Sequence, residues 1–570
     1  MSDPLFIRAD ASPGIGTGHV MRCLALAQAW QERAEGGDLN TEMPEQAQVV
    51  FVCACLPEAI EQRLKKEGCE VVRIEAEPGS SEDHAQTLAI AQEYLPSTIN
   101  HQPLTPRPWF VLDGYSFDMA YQRAMRAAGF RLLVVDDYNH LPEYECDILL
   151  NQNLGADTYD YKVNPEAERL LGPKYALLRW EFRNARAELD ARGWTFGMEA
   201  APPETRENAT HWELEGRPPC RPGSRGAGPD DAKITPPIAH NILVTMGGAD
   251  LHGMTGKVVA ALSQLPGPPL HIRAVTGAAA GPDESLQKRL ISPLHRIEWL
   301  QNVEDMPGLM QWADLAISAA GSTCWELMCL GVPMMVVILA ANQEQIARQL
   351  DNQGLAVNLG WHHFFSETVF IQDVERYMIA SPHINAVKGM QQKMADGLGA
   401  LRVLTAMRAQ NLLLRQASMD DAELLWRWVN DPVVRESAFN PHPISWAEHM
   451  AWLQQKLDSK KAAIYIACEQ SGNKMGQIRF EWNDLGEATV DVSVDAACRG
   501  SRIGAAIIRA GCNQLSDRES PARVQAWIKP DNKASIKSFN LAGFSMDGRC
   551  NLGGKPALRM SLECAKHKKA

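Results

Sequence analysis

Three familiar signatures are missing from this 570-residue chain, and each absence narrows the field. No Gly-Lys-Ser/Thr follows a strand-like run, which excludes a Walker A phosphate loop. The glycine-rich turn near the N-terminus carries His19 where a dinucleotide fingerprint needs glycine, and no acidic strand end follows at the right distance. None of the 13 cysteines forms a Cys-x-x-Cys pair, and Cys53 and Cys55 sit two apart on one face of a strand. Zinc spacing is therefore absent, no metal is expected, and free thiols in a reducing compartment are the reading. The longest apolar run, near Met334 to Ala341, falls well short of the roughly 20 residues that span a bilayer. No charged start, apolar core and cleavage site is seen at the N-terminus, so the expectation is a cytoplasmic protein with no membrane partner. An excess of positive charge is lacking too. The formal charge is −13, and the one dense basic cluster is Lys566-His567-Lys568-Lys569, which argues against nucleic acid.

What is present is organised around Gly14-Ile15-Gly16-Thr17-Gly18-His19-Val20-Met21-Arg22, between the strand-like Leu5-Phe6-Ile7-Arg8-Ala9 and a helix from Cys23 to Trp30. Such a turn leaves backbone N–H groups open at a helix start, where amides and dipole favour an anion. His19 and Arg22 share a helical face, which sets a proton carrier beside a cation suited to phosphate. The dipole disfavours imidazolium there, so His19 is expected to stay neutral and serve as a base. On spacing alone, a phosphate-cradling loop whose histidine only bonds locally is an equal reading.

The length calls for three or four compact units. Strand runs at 49–53, 71–74, 109–113, 132–137 and 147–151 are continuously apolar, as in a parallel sheet covered on both faces. Asp113, Asp136, Asp137, Asn151 and Asn153 fall at their C-terminal ends, where open α/β sheets bind ligands, although solvated strand ends are the commoner fate of each. The expected division is a Rossmann-like lobe over 1–190, a Pro/Gly-rich disordered insert over 191–239, a second Rossmann-like lobe over 240–395, a linker over 396–410 and an α+β domain over 411–565. The second lobe opens on the strand Asn241 to Met246. It also contains Ser318-Ala319-Ala320-Gly321-Ser322-Thr323 before a helix, with Thr323 and Glu326 at capping-box spacing. The last domain reads as an antiparallel meander (463–468, 476–482, 488–495), then Arg499-Gly500-Ser501-Arg502-Ile503-Gly504 opening a helix and a strand over 523–528.

Several ordered stretches carry a resemblance over roughly residues 1–395. They are Ile15 to Arg22, Leu149-Leu150-Asn151-Gln152-Asn153, Tyr175 to Phe182, Thr245-Met246-Gly247-Gly248-Ala249-Asp250, Ser318 to Glu326, and Ala341-Asn342-Gln343. Together they resemble the UDP-2,4-diacetamido-2,4,6-trideoxy-β-L-altropyranose hydrolases of pseudaminic acid biosynthesis, a pathway of flagellin glycosylation. That family is similar to two-lobed glycosyltransferases but passes the sugar to water. The resemblance implies His19 as catalytic base and Glu326 as the residue for the ribose hydroxyls of UDP. It implies substrate-binding roles for Arg179 and Asn342, and for Tyr115 on the sugar side. Helix-start amides at Gly16, Gly18, Gly321 and Ser322, with Gly247 and the nearby Arg22, would face the diphosphate.

Residues 411–564 resemble the GNAT-type N-acetyltransferases, notably the nucleotide-sugar amine acetyltransferase of the same pathway. This implies acetyl-CoA as co-substrate, held by Val494, Arg499, Gly500, Arg502, Gly504, Asn532 and Ser535. Arg502 stands where the family has glycine, placing an added cation near phosphate. Phe539 stands where many members carry a general-acid tyrosine, and the sole tyrosine after 411 is Tyr465. Alternation along the strand puts Asp491 opposite the valines, so Asp491 and Glu481 are the candidate bases. The expected fold is thus α/β, two Rossmann-like lobes around a nucleotide-sugar cleft followed by a GNAT-type domain. The expected activity is bifunctional, with a UDP-linked amino sugar as partner. Alternatives are a glycosyltransferase fused to a protein N-acetyltransferase, and a nucleotide-sugar sensor with an inactive acetyltransferase domain.

Overall fold

The computed structural model describes residues 4–12, 14–32, 48–95, 107–192, 240–248, 250, 252–277, 290, 292–301, 303–379, 384–470, 472–519 and 521–564. Nearly all of the expected insert over 191–239 lies outside the described residues.

The first sheet contains β1 (Leu5–Ala9), β2 (Val49–Cys53), β3 (Glu70–Arg73), β4 (Trp109–Asp113), β5 (Arg131–Val135), β6 (Ile148–Asn151) and β7 (Glu168–Leu171). All pairings are parallel, in the order β3-β2-β1-β4-β5-β6-β7. β1, β2 and β4 are buried at every position, because helices cover both faces. The second sheet, likewise parallel, contains β8 (Asn241–Thr245), β9 (His271–Thr276), β10 (Arg296–Gln301), β11 (Leu315–Ala319), β12 (Met334–Ile338) and β13 (Val357–Trp361), ordered β10-β9-β8-β11-β12-β13. In both lobes the order reverses beside the first strand, so loops from the central C-terminal strand ends converge on one crevice.

The lobes exchange helices. Helix Trp180–Ala191 follows the first sheet in sequence, yet Phe182 and Leu189 pack in the second lobe's core with Trp325 and Leu327. Residues 396–410, expected as a linker, contain the buried helix Gly399–Gln410, whose Leu401, Val403 and Leu404 join Leu24 and Leu26 in the first lobe's core. Ala505 and Leu541 of the last domain enter that same core. The connecting helix therefore acts as a shared wall between the first lobe and the last domain.

The third sheet has β14 (Leu413–Gln416), β15 (Ala462–Cys468), β16 (Lys474–Trp482), β17 (Glu487–Val494), β18 (Arg523–Ile528), β19 (Ser545–Leu552) and β20 (Lys555–Glu563), ordered β14-β15-β16-β17-β18-β20-β19. Its parallel contact is between β17 and β18, and the pairing stops at Thr489 and Gln525 although the strands run on to Val494 and Ile528. They splay, and a cavity of about 580 Å³ opens there. The fold is thus α/β with two parallel Rossmann-like sheets and a C-terminal GNAT-like sheet domain.

Candidate active sites

The first site grows from the turn after β1. Gly16 takes φ 84°, and helix Gly18–Gln31 starts with Thr17 as its N-cap. His19 falls in the first helical turn, where its ring reaches the end of β4. Its Nδ1 lies 2.6 Å from Asp113 Oδ1. A carboxylate is acceptor-only, so Nδ1 carries the proton and Nε2 is left as the basic nitrogen. Among the described residues Nε2 has no hydrogen-bond partner, and the ring is 8% exposed. The Tyr115 ring meets it edge-on at 5.2 Å.

Arg22 differs from its expectation. It shares the helical face with His19, but its guanidinium turns inward. Nε and Nη2 each donate to Asp113 at 2.6 Å, and Nη1 donates to Asp137 Oδ1 at 2.7 Å. Both carboxylates are buried, so the cation is drawn to them rather than left free for a diphosphate. Burial alone would raise the Asp113 carboxyl, but the charge of Arg22 and the hydrogen bonds from Arg22 and His19 hold it well below the usual range. Asp137 is lowered as well, with burial opposed by the charge and hydrogen bond of Arg22. Asp113 is thereby kept ionised and able to orient His19. From the sequence, Asp113 and Asp137 are strand-end acids with no assigned role; the fold brings them into the site. Their C-terminal strand positions were the available signal.

The network continues across the lobes. Tyr115 Oη donates to Asp137 Oδ2 at 2.7 Å, and Asn342 Nδ2, from helix Ala341–Asn352 of the second lobe, donates to Tyr115 Oη at 3.0 Å. Asn153 Nδ2 adds a bond to Asp137 Oδ1 at 2.9 Å. His19, Arg22, Tyr115 and Asn342 are thus brought together by one chain of contacts. The backbone loops meet in the same crevice. A Cβ on Gly18 would stand 3.7 Å from Ser322 Oγ, and one on Gly248 would stand 2.4 Å from Thr17 Oγ1. Gly248 is therefore the position of close approach, whereas Gly247 supplies the turn with φ 82°. Gly321 faces the Gln343 side chain.

Arg179 and Glu326 form a second pair, Nη2 to Oε1 at 3.3 Å. The capping box does not form: helix Thr323–Leu330 has Ser322 as its N-cap without a side-chain bond. Glu326 instead projects toward Arg179 from the first helical turn. Burial raises its carboxyl, and Arg179 offsets only part of that.

The second site is the splayed cavity of the last sheet. Val494, Arg499, Gly500, Arg502, Gly504, Asn532 and Ser535 line it. Gly504 lies in the first turn of helix Ile503–Glu519, and a Cβ there would stand 3.3 Å from Val494 Cγ2. Asn532 caps helix Lys533–Leu541 by accepting from the Ser535 N–H at 3.0 Å. Arg499 Nη2 pairs with Asp431 Oδ1 at 2.9 Å. Arg502, expected beside phosphate, lines the cavity while its guanidinium pairs with Glu32 Oε1 of the first lobe at 3.0 Å. Its backbone keeps φ 60°, the left-handed conformation a glycine would take. Phe539 lines the cavity and packs edge-on against Phe544 at 4.9 Å. Tyr465 is buried and accepts from Arg518 Nη1 at 3.2 Å.

The two candidate bases separate. Asp491 lines the cavity with Arg479 Nη2 at 3.3 Å, whereas Glu481 pairs with Lys456 Nζ at 2.8 Å and is not among the lining residues. Among the described residues, no group of three or more His, Cys, Asp or Glu is arranged to hold a metal ion. No described helix is long and apolar enough to cross a membrane.

Two family models match parts of the chain. Residues 241–389 match the glycosyltransferase family 28 C-terminal domain, and residues 411–545 match the acetyltransferase (GNAT) domain. The spore coat polysaccharide biosynthesis protein SpsG of Bacillus subtilis is 32% identical over 164 residues, 29% of this chain and 48% of that protein. The uncharacterized protein MJ1062 of Methanocaldococcus jannaschii is 21% identical over 558 residues, 94% of this chain and 96% of its own length. The mycothiol acetyltransferase of Mycolicibacterium vanbaalenii is 28% identical over 181 residues, 27% of this chain and 56% of that protein. The chain thus spans about half the length of two of these three curated relatives. Among solved structures, AAC(6')-Ib with parmomycin and acetyl-CoA is similar at 21% identity, covering 27% of this chain and 93% of that one with a TM-score of 0.25. The chain therefore joins a domain like the glycosyltransferase family 28 C-terminal domain, in an SpsG-like setting, to an acetyltransferase domain of the GNAT kind.

Proposed function

We propose that the chain is a cytoplasmic bifunctional enzyme of pseudaminic acid biosynthesis. Its last domain acetylates the 4-amino group of a UDP-linked 4-amino-4,6-dideoxy-altrosamine derivative. Its two lobes then hydrolyse the product, UDP-2,4-diacetamido-2,4,6-trideoxy-β-L-altropyranose, to free sugar and UDP. The observation that carries the hydrolytic half is the His19–Asp113 pair at the crevice between the lobes. His19 Nε2 takes a proton from water as the oxygen attacks the anomeric carbon and the bond to the UDP oxygen breaks. Amides at the starts of helices Gly18–Gln31 and Thr323–Leu330 stabilise charge on the departing diphosphate, since the Gly16 and Gly321 N–H groups are taken by the Ser12 and Ala319 carbonyl oxygens. Arg22 contributes by holding Asp113, not by touching phosphate. Glu326, beside Arg179, takes the ribose hydroxyls.

In the acetyltransferase half the neutral amine attacks the thioester carbonyl carbon, the C–S bond breaks and coenzyme A leaves as thiolate. Asp491, the candidate acid that faces the cavity, relays the amine proton through water. Incubating the pure chain with acetyl-CoA and the UDP-linked amino sugar, and following products by mass, tests both halves. The reading expects an acetylated UDP-sugar, then free diacetamido sugar and UDP. Failure to acetylate sinks one half, and an acetylated UDP-sugar that persists sinks the other.

The family 28 match favours one second reading, transfer of the sugar to an acceptor other than water. UDP release in the absence of any added acceptor separates the two.

A further inference from the structure

The loop that opens helix Ile503–Glu519 contains a residue its own backbone does not favour. Three non-glycine residues among those described have positive φ: Asn139, Asp250 and Arg502. Asn and Asp tolerate that region, because their short side chains bond locally; arginine has no such local compensation. Something outside the loop must hold Arg502 there, and strain of this kind at a ligand loop points to function.

What holds it comes from the other half of the molecule. Arg502 Nη2 pairs with Glu32 Oε1 at 3.0 Å, and Nη1 donates to the Glu32 carbonyl oxygen at 3.3 Å. The Arg502 side chain is 9% exposed and the Glu32 side chain 26%, so the guanidinium end of the pair is buried. Glu32 is the C-cap of helix Gly18–Gln31, the helix that presents His19 at its other end. Its carboxylate also takes both Nη atoms of Arg183 at 2.8 Å. From a second direction, Arg408 of the connecting helix donates Nη1 to the Ser501 carbonyl oxygen at 2.6 Å. Burial, and to a smaller extent the neighbouring Arg502, push Arg408 down to about 10. The loop that faces the acetyl-CoA cavity is thus clamped on its outer side by residues lying outside the acetyltransferase domain.

We propose that Glu32, on the first lobe, is a positioning residue for the coenzyme loop of the acetyltransferase domain: by anchoring Arg502 it holds Arg499–Gly504 in the conformation that turns the loop amides into the cavity. The proposal rests on the acetyl-CoA reading of that cavity. It makes coenzyme affinity a property of the whole chain rather than of residues 411–564 alone.

The test is acetyl-CoA binding by calorimetry on the full chain, with KM and kcat for acetyl transfer alongside. Glu32→Ala is expected to weaken acetyl-CoA binding about tenfold and to raise its KM while kcat stays close to wild type. The double variant Glu32→Ala with Arg502→Gly is expected to regain affinity to within about twofold of wild type, because glycine adopts the left-handed conformation without an anchor. Both variants leave Arg183 unpaired, so the difference between them reports on Arg502 only. UDP affinity, read on the same samples, should be equal in both variants and in wild type. Unchanged acetyl-CoA affinity in Glu32→Ala would overturn the proposal, as would a loss that Arg502→Gly does not recover. A wild-type chain that binds no acetyl-CoA would overturn the coenzyme reading and the proposal with it.

Discussion

Two glycine-rich turns open helices in this molecule, Gly14 to Gly18 before helix Gly18–Gln31 and Arg499 to Gly504 before helix Ile503–Glu519. Both lie at the positive end of a helix dipole, although Ser12 takes the Ile15 and Gly16 amides of the first and Ala496 takes the Arg499 amide of the second. They differ in what their side chains do. The first keeps chemistry inside the crevice: His19 is oriented by Asp113, and Asp113 is held ionised by Arg22. In the second, Arg499 pairs with Asp431 and Arg502 with Glu32, while Arg499, Gly500, Arg502 and Gly504 all line the cavity. On the proposed reading, the same local motif seats a reacting proton in one place and cradles an anion in the other. The partner carboxylates decide which. Asp113 lies 94 positions from His19 in sequence, whereas Glu32 lies 470 positions from Arg502.

That contrast breaks most sharply at His19. His19→Ala is expected to slow UDP-sugar cleavage by ~100- to 10,000-fold, the usual loss when a general base is removed. Acetyl transfer, measured on the same sample, should be unaffected. Near wild-type cleavage would reduce His19 to a loop residue and make the two turns alike.

Arg22 tests why the first turn holds its charges inside. Arg22→Met leaves Asp113 and Asp137 buried without their cation, which typically costs about 3–5 kcal/mol of stability. The pH dependence should change sign as well. In wild type the folded-state pKa of Asp113 is depressed, so its contribution is present above about pH 3.9, the unfolded value, and is lost as pH falls toward the folded one. Without Arg22, burial dominates and raises the carboxyl, so stability falls as pH rises through about 3.9 instead. Urea melts of both proteins across the acid range check this. Parallel pH profiles would mean that Arg22 does not set the ionisation of these acids.

Glu326→Ala is expected to weaken UDP binding by about tenfold, the loss of one charge-assisted hydrogen bond. It should barely move the thermal midpoint, because no capping bond is lost. Equal UDP affinity with a lowered midpoint would return Glu326 to a purely structural role.

The smallest expected effect is at Phe539, which lines the second cavity where a proton-donating tyrosine is lacking. Phe539→Tyr should raise the acetylation rate only a few-fold, within the roughly 100-fold lower bound for a fully limiting acid. Acetyl-CoA affinity should stay constant. An unchanged rate would show that protonation of the leaving thiolate does not limit turnover.

Periodicity and turn chemistry made most of this architecture legible in the sequence. Continuous apolar runs ending in Asp113 or Asn151 are buried parallel strands, and the alternation over 488–495 is a sheet strand with one polar face. Strands less apolar than these are not legible: β7 (Glu168–Leu171) and β10 (Arg296–Gln301) sit at sheet edges, where one side needs no burial, and the interior β9 (His271–Thr276) has its apolar run broken by His271 and Arg273. The helix Gly399–Gln410 was equally hidden, since a segment apolar on most sides reads as buried only when both of its neighbours are known. His19, the glycine turns and the coenzyme loop were visible because their chemistry is local: a helix start and its amides involve only adjacent residues. The directions of Arg22 and Arg502 were not. A guanidinium reaches several ångströms and goes to whichever carboxylate the fold leaves buried and uncompensated, and only the packing of distant strands and helices places Asp113, Asp137 and Glu32 within that reach.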